Sequence, residues 1–154
     1  MEVKIVNLSP KSFVGYKQEM SLSENTTPKL FQQLMQLRSK VEQNASFIYD
    51  IKIYPSSYFQ NFSPTTNFIK WVALENTPQL GSCKLDGITL SGGLYAKFNN
   101  PYGFGNPKVY QDIFQKWLPS SDYQLDQRPH FDVFVPQKDP SQIAEDIFIP
   151  IKPK

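Results

Sequence analysis

The chain has 154 residues, enough for one domain with a real hydrophobic core, and its mean hydropathy of −0.43 is ordinary for a globular protein. The net charge is only +2, the lysines are scattered, and Arg38 and Arg128 are the only arginines, so the basic face that direct nucleic-acid binding needs is missing. One cysteine (Cys83) and one histidine (His130) exclude an intrachain disulfide, a thiolate metal cluster and a histidine zinc site, while the lack of an apolar leader or a span of roughly 20 apolar residues points to the cytoplasm.

In chain order, Val3, Ile5 and Asn7 alternate with Lys4 and Val6 in a first strand that Ser9-Pro10 breaks, and residues 12–20 form a second extended piece. Thr27-Pro28 reads as an N-cap with proline at the first helical position. Leu30, Phe31, Leu34, Leu37 and Val41 then recur at helical spacing, predicting a helix over about 28–43. Phe47, Tyr49, Ile51 and Ile53 alternate as in a half-buried strand. A loop with Tyr58, Phe59 and Phe62 follows; it either forms a lid or packs on the protein's own helix. Residues 67–74 form a further strand, with Phe68, Lys70, Val72 and Leu74 on one face and Ile69, Trp71 and Ala73 on the other.

The second half starts near Gly87. Ile88, Leu90, Leu94, Ala96 and Phe98 make an extended segment bent at Ser91-Gly92-Gly93. After a Gly/Pro/Asn loop, Val109, Tyr110, Ile113, Phe114 and Trp117 set a short helix over about 107–117, stopped by Pro119, and strands at 131–134 and 146–151 complete the unit. Each half thus reads β–α–β–β, with halves at about 1–78 and 87–154 of one domain. The predicted class is α+β: an antiparallel sheet with two helices on one side and a central ligand cleft.

Asp132 is the conspicuous residue, because a carboxylate inside an apolar strand loses hydration unless a cation or hydrogen bonds compensate. Three readings are open: a ligand group, an exposed side chain, or a scaffold partner of Lys97 or Arg128. Aromatic residues are abundant (12 Phe, 8 Tyr, 2 Trp), and Trp71, Tyr95, Phe98, Tyr110, Phe134 and Phe148 are candidates for a ligand's surroundings or for plain core. By strand parity Asp132 and Phe134 share one face, which leaves Phe131 and Val133 toward the helices. Glu75, on the strand face of Trp71, is a candidate second acid. No phosphate loop, dinucleotide fingerprint or nucleophile elbow occurs, and no cofactor is expected.

Four stretches in order resemble the gyrase-inhibitor-like family, the effector-binding domain of AraC-type and MerR-type bacterial regulators. They are Gly92-Gly93-Leu94-Tyr95-Ala96-Lys97-Phe98, the helix with Tyr110 and Trp117-Leu118-Pro119, Phe131-Asp132-Val133-Phe134, and Asp146-Ile147-Phe148-Ile149-Pro150-Ile151. The likeness is good over about 88–152 and looser before it. It implies a tandem pair of β–α–β–β units binding hydrophobic, often cationic, small molecules between the halves. Asp132 stands where the family more usually has Glu, one methylene longer. The expected function is a stand-alone module for a lipophilic, cationic, drug-like ligand, with a transcription regulator or another protein as candidate partner. Two other roles known in the family stay open. One is hydrolysis of strained electrophiles, for which Asp132 and Tyr95 would be the pair; the other is protein interaction of the gyrase-inhibitor type.

Overall fold

In a computed structural model, which describes residues 2–41, 47–78, 80 and 84–154, the chain alternates paired strands with two helices. In order these are β1 (Val3–Leu8), β2 (Lys11–Met20), α1 (Thr27–Val41), β3 (Ile48–Ile53), β4 (Phe68–Glu75), β5 (Asp86–Leu90), β6 (Gly93–Asn99), a composite helix α2 (108–120), β7 (Tyr123–Leu125), β8 (His130–Phe134) and β9 (Glu145–Pro153). Cys83 lies outside the described residues.

Among the described residues every strand pairing is antiparallel, and the strand order is β1-β6-β9-β8-β3-β4-β2-β5, with β7 added to β9. Exchanging β1 with β5, β2 with β6, β3 with β8 and β4 with β9 turns this order into its own reverse. The two halves are therefore related by a pseudo-two-fold axis between β3 and β8. The β–α–β–β core of each half is preceded by one more strand, which crosses over: β1 pairs with β6 of the second half, and β5 pairs with β2 of the first.

That exchange also curls the sheet. β1 and β5 sit at opposite ends of the order, yet only Ser9-Pro10 separates β1 from β2 and only Ser91-Gly92 separates β5 from β6. Two residues reach only about 7 Å, so the sheet must bring its two ends together. Gly92 (φ 77°) and Gly93 (φ 108°) make that corner possible. A Cβ on Gly93 would lie 2.7 Å from an Arg128 guanidinium nitrogen. Arg128 uses the space to donate to the carbonyls of Gly92 (2.8 Å), Leu94 (2.6 Å) and Ile151 (3.0 Å), and its guanidinium lies over the Tyr95 ring at 4.7 Å.

Alternation along the strands divides the apolar residues between the two sheet faces. On one face α1 lays Leu30 and Leu34 on Val14, Phe68, Val72 and Leu74, and α2 lays Val109 and Ile113 on Ala96, Phe98, Ile147 and Ile149. On the other, concave face Phe13, Tyr49, Ile51, Trp71, Tyr95 and Phe131 pack among themselves, with no helix over them among the described residues.

The helices differ in detail from their predicted forms. α1 begins at Thr27, whose hydroxyl donates to the Met20 sulfur at 3.5 Å instead of capping the helix, while Pro28 occupies the first turn. α2 does not stop before Pro119: Lys108–Gln111 is α-helical, Asp112–Trp117 is a π-helical turn, and Leu118–Ser120 returns to α. Pro119 has no N–H for the carbonyl four residues back, at Gln115, and the wider turn lies just upstream of it.

Candidate functional site

Between α1 and α2, above the meeting of the halves, lies a cavity of about 1070 Å³. Its walls are aromatic. Phe31 comes from α1, Tyr110 and Phe114 from α2, Phe104 from the loop before α2, and Tyr54, Tyr58, Phe59 and Phe62 from the β3–β4 connection. That connection is both self-packed and lid-like. Tyr58 is buried and touches Phe59, Phe62 and Phe68, while Phe59 reaches across to Phe114 on α2, ring centroids 5.1 Å apart.

The floor carries the charge. β3 contributes Asp50 and Lys52, β4 Lys70, β8 Asp132 and β9 Glu145. Asp50 and Asp132 stand directly opposite each other on the central strand pair, one from each half. Like charges so placed repel, and the two lysines offset this. Lys52 Nζ is 2.6 Å from Asp132 Oδ2 and 3.6 Å from Asp50 Oδ1, and Lys70 Nζ is 2.9 Å from Asp50 Oδ1. The hydroxyl of Tyr110 donates to the same Asp132 oxygen as Lys52 does.

Burial competes with pairing at each of these groups. For Asp132, burial dominates and raises its pKa in spite of Lys52. Burial acts upward on Asp50 too, but the Lys52 and Lys70 ammoniums outweigh it and lower its pKa. Burial acts downward on Lys52, where the Asp132 and Asp50 carboxylates prevail and hold it well above its usual value. For Lys70 burial wins over Asp50 and lowers the pKa. Glu145 differs from the other two acids. Its Oε1 accepts from Asn100 Nδ2 (2.8 Å) and the Gly105 amide (3.4 Å), no Lys or Arg nitrogen among the described residues makes an ion pair with it, and burial raises its pKa.

The expected single cluster is divided by the sheet. Asp132, Tyr110 and Phe134 meet in the cleft, with the Phe134 ring 6.0 Å from Phe31 and 4.7 Å from Phe104. Trp71, Tyr95, Phe148 and Glu75 belong to the opposite, concave face, and Phe98 is buried beneath α2 against Trp117. Glu75 there accepts from the Tyr49 hydroxyl at 2.7 Å and from Lys11 at 3.1 Å. The cause is the side on which the helices pack. Asp132 and Phe134 point toward α1 and α2, whereas Phe131 and Val133, expected there, point away. Asp132 pairs with Lys52, not with Lys97 or Arg128. Tyr95, expected beside Asp132, instead donates its hydroxyl to the Pro129 carbonyl at 2.9 Å.

Sequence reasoning missed Asp50, Lys52, Lys70 and Glu145. The strict alternation of β3 and β4 carried a signal, since Asp50, Lys52 and Lys70 fall on the parity of Ile48 and Val72, which is a core face. Glu145 had none, as it opens β9 just before the apolar pattern begins. His130 is buried against Phe59 (5.3 Å, stacked) and Tyr54 (4.9 Å, edge-on), and burial, helped by the Lys52 charge, lowers its pKa to about 3. It therefore serves as a neutral ring beneath the lid.

A two-fold fold with a roomy aromatic cleft and a titratable floor is the architecture of a small-molecule-binding domain. The chain belongs to the GyrI-like small molecule binding domain family, whose model matches residues 1–152. Solved structures share this fold at low identity. SAV2435 bound to tetraphenylphosphonium is 16% identical, with TM-score 0.68 over 99% of this chain and 94% of that one. The EcmrR C-terminal domain is 5% identical, with TM-score 0.66 over 99% and 98%. A hydrolase encoded by lin2189 from Listeria innocua is 7% identical, with TM-score 0.64 over 98% and 92%. No curated protein sequence matches the chain. Among the described residues, no helix is long and apolar enough to cross a membrane.

Proposed function

We propose that the cleft between α1 and α2 takes a lipophilic organic cation. One observation carries this reading: three carboxylates (Asp50, Asp132, Glu145) face two ammonium groups (Lys52, Lys70) on the floor of one aromatic-walled cavity. With all five ionised the floor has one negative charge in excess, −3 + 2 = −1. Asp50 and Asp132 are held by lysines, so Glu145 is the acid left for a ligand. Lys52 and Tyr110 already share one oxygen of Asp132, which makes Asp132 a source of negative potential and not the direct contact. The rings of the walls add cation–π attraction of roughly 0.5–2 kcal/mol each where well placed. Tetraphenylphosphonium, bound by SAV2435, is a probe of this class.

Titration calorimetry with tetraphenylphosphonium and with tetraphenylborate, similar in shape and opposite in charge, tests the reading. The cation is expected to bind at least tenfold more tightly, and Glu145→Gln to erase most of that preference. Because burial raises the pKa of both Glu145 and Asp132, the preference should also grow as pH rises past their titration. Equal or tighter binding of the anion would overturn the assignment.

The hydrolase reading has one observation of its own. Tyr110 donates to an Asp132 that burial biases toward its protonated form, an acid–hydroxyl pair facing the cavity. Under it, Asp132→Asn abolishes turnover of a strained electrophile while the substrate still binds. Under the binding-module reading the same variant only weakens cation affinity. The protein would sequester the cation or report its presence to a partner regulator through a protein contact, which pull-down with and without tetraphenylphosphonium would detect.

A further inference from the structure

The concave face of the sheet contains a second hollow, of about 300 Å³, on the far side of β3 and β8 from the cleft. Phe13, Tyr49, Tyr95, Phe131 and Phe148 line its interior, and Leu8, Leu90 and Gly92 of the curled corner close one side. Phe131 and Phe148 are stacked, centroids 4.6 Å apart and planes 12° from parallel, with Tyr95 edge-on to Phe131 at 5.4 Å and Phe13 tilted against Tyr49 at 4.5 Å. This is an aromatic slot built by strand parity, since each of these residues is one position away from a residue directed to the helix side.

The charged groups and phenol hydroxyls at this hollow already have partners. The Tyr49 hydroxyl donates to Glu75, which also holds Lys11 at 3.1 Å, and the Tyr95 hydroxyl donates to the Pro129 carbonyl. At the other rim Asp146 lies 3.8 Å from Lys97 and accepts from Asn99 at 3.2 Å. An ionic ligand would have to break one of these pairs, whereas an uncharged ring displaces only water from ring faces and edges. The volume stands at the small end of the range of ligand cavities, roughly 300–1,000 Å³, too small for the probe of the main cleft and too small for a folded segment.

We infer that this slot is a second ligand site, for a compact, uncharged, planar aromatic of one or two fused rings, separate from the cleft that Asp132 floors. Such a ligand slides edgewise beside the Phe131–Phe148 stack, where offset and edge-to-face ring contacts are favourable. Phe47, more than half exposed, stands at the mouth. The slot's existence does not depend on what the cleft binds, because the sheet separates the two.

The test uses 2-naphthol on the full chain, followed by titration calorimetry with and without saturating tetraphenylphosphonium. Saturable binding is expected, changed less than threefold by the cation. Val133→Phe, which fills the slot from β8, should weaken 2-naphthol at least tenfold and leave tetraphenylphosphonium unaffected. Leu8→Phe fills it from β1 and replaces Val133→Phe if that variant melts well below the parent. Competition between the two probes overturns the inference, as does binding untouched by either filling variant, or no saturable binding at all. A concentration-dependent dimer that Val133→Phe disrupts also overturns it, since a second copy of the chain would then be the occupant. If tetraphenylphosphonium itself fails to bind, the cation reading falls alone, and the filling variants still decide the slot.

Discussion

The two faces of one sheet make opposite use of the same strands. On the helix side β3, β4, β8 and β9 present Asp50, Lys52, Lys70, Asp132 and Glu145 to a roomy cleft; on the concave side they and β2 present rings that pack among themselves. Charges survive on the first face because they come in compensating sets, each ion within reach of an opposite one or of hydrogen-bond donors. The second face needs no such compensation and relies on ring packing. The lesson is that burial in this domain is tuned residue by residue: Phe131 and Asp132, neighbours in sequence and equally buried, meet rings on one face and an ammonium and a phenol hydroxyl on the other.

The comparison breaks hardest at Lys52. Lys52→Met leaves Asp132 buried without its counter-ion, and urea unfolding should show a loss of about 3–5 kcal/mol, partly recovered by adding Asp132→Asn. Full recovery by a single substitution elsewhere on the floor would contradict the pairing. On the concave side the corresponding weak point is the corner. Arg128→Ala removes three donated hydrogen bonds to carbonyls and the Tyr95 contact, and denaturation should register roughly 3 kcal/mol. Arg128→Lys should recover little of it, because an ammonium lacks the fork that reaches three carbonyls.

Acid sharpens the comparison from the helix side. His130 has a folded pKa of about 3 against 6.5 for the free group, so the unfolded chain takes up a proton that the folded one refuses. Its contribution is complete above pH 6.5 and is lost as pH falls toward 3. By pH 5 the loss is on the order of 2 kcal/mol, and His130→Phe should flatten that part of the pH–stability curve. The smallest effect belongs to the lid. Phe62 is largely exposed, so Phe62→Ser should shift stability by less than about 0.5 kcal/mol; calorimetry should nevertheless show weaker tetraphenylphosphonium binding, as one ring leaves the wall.

The fold was legible in the sequence because its signals are local and periodic. The alternation of Phe47, Tyr49 and Ile51 and the spacing of Leu30, Leu34 and Leu37 depend on neighbours a few positions away. The crossing of β1 and β5 into the opposite halves depends on pairings over roughly seventy to ninety-five residues, which no local pattern encodes. The site was legible only in part. Asp132, Tyr110 and Phe134 come together in the cleft, yet parity alone states which residues share a face, not which face the helices cover. Assigning that side the other way sends Trp71, Glu75, Tyr95 and Phe148 to the wrong cavity. Lys52 and Lys70 escaped notice because a lysine amid strand residues reads as solvent-exposed until its counter-ions are located, one of them 80 positions away in Asp132.

The swapped outer strands carry a consequence for how the molecule is assembled. A fragment ending after β4 would hold β1 with nothing to lie against and leave one edge of β2 bare, and a fragment starting at β5 would mirror that defect. Neither piece is a self-sufficient folding unit; each completes the other, much as protomers do in an intertwined dimer. Synthesis must therefore run past β6 before β1 can dock, so the nascent amino-terminal portion waits for a mate from the second half.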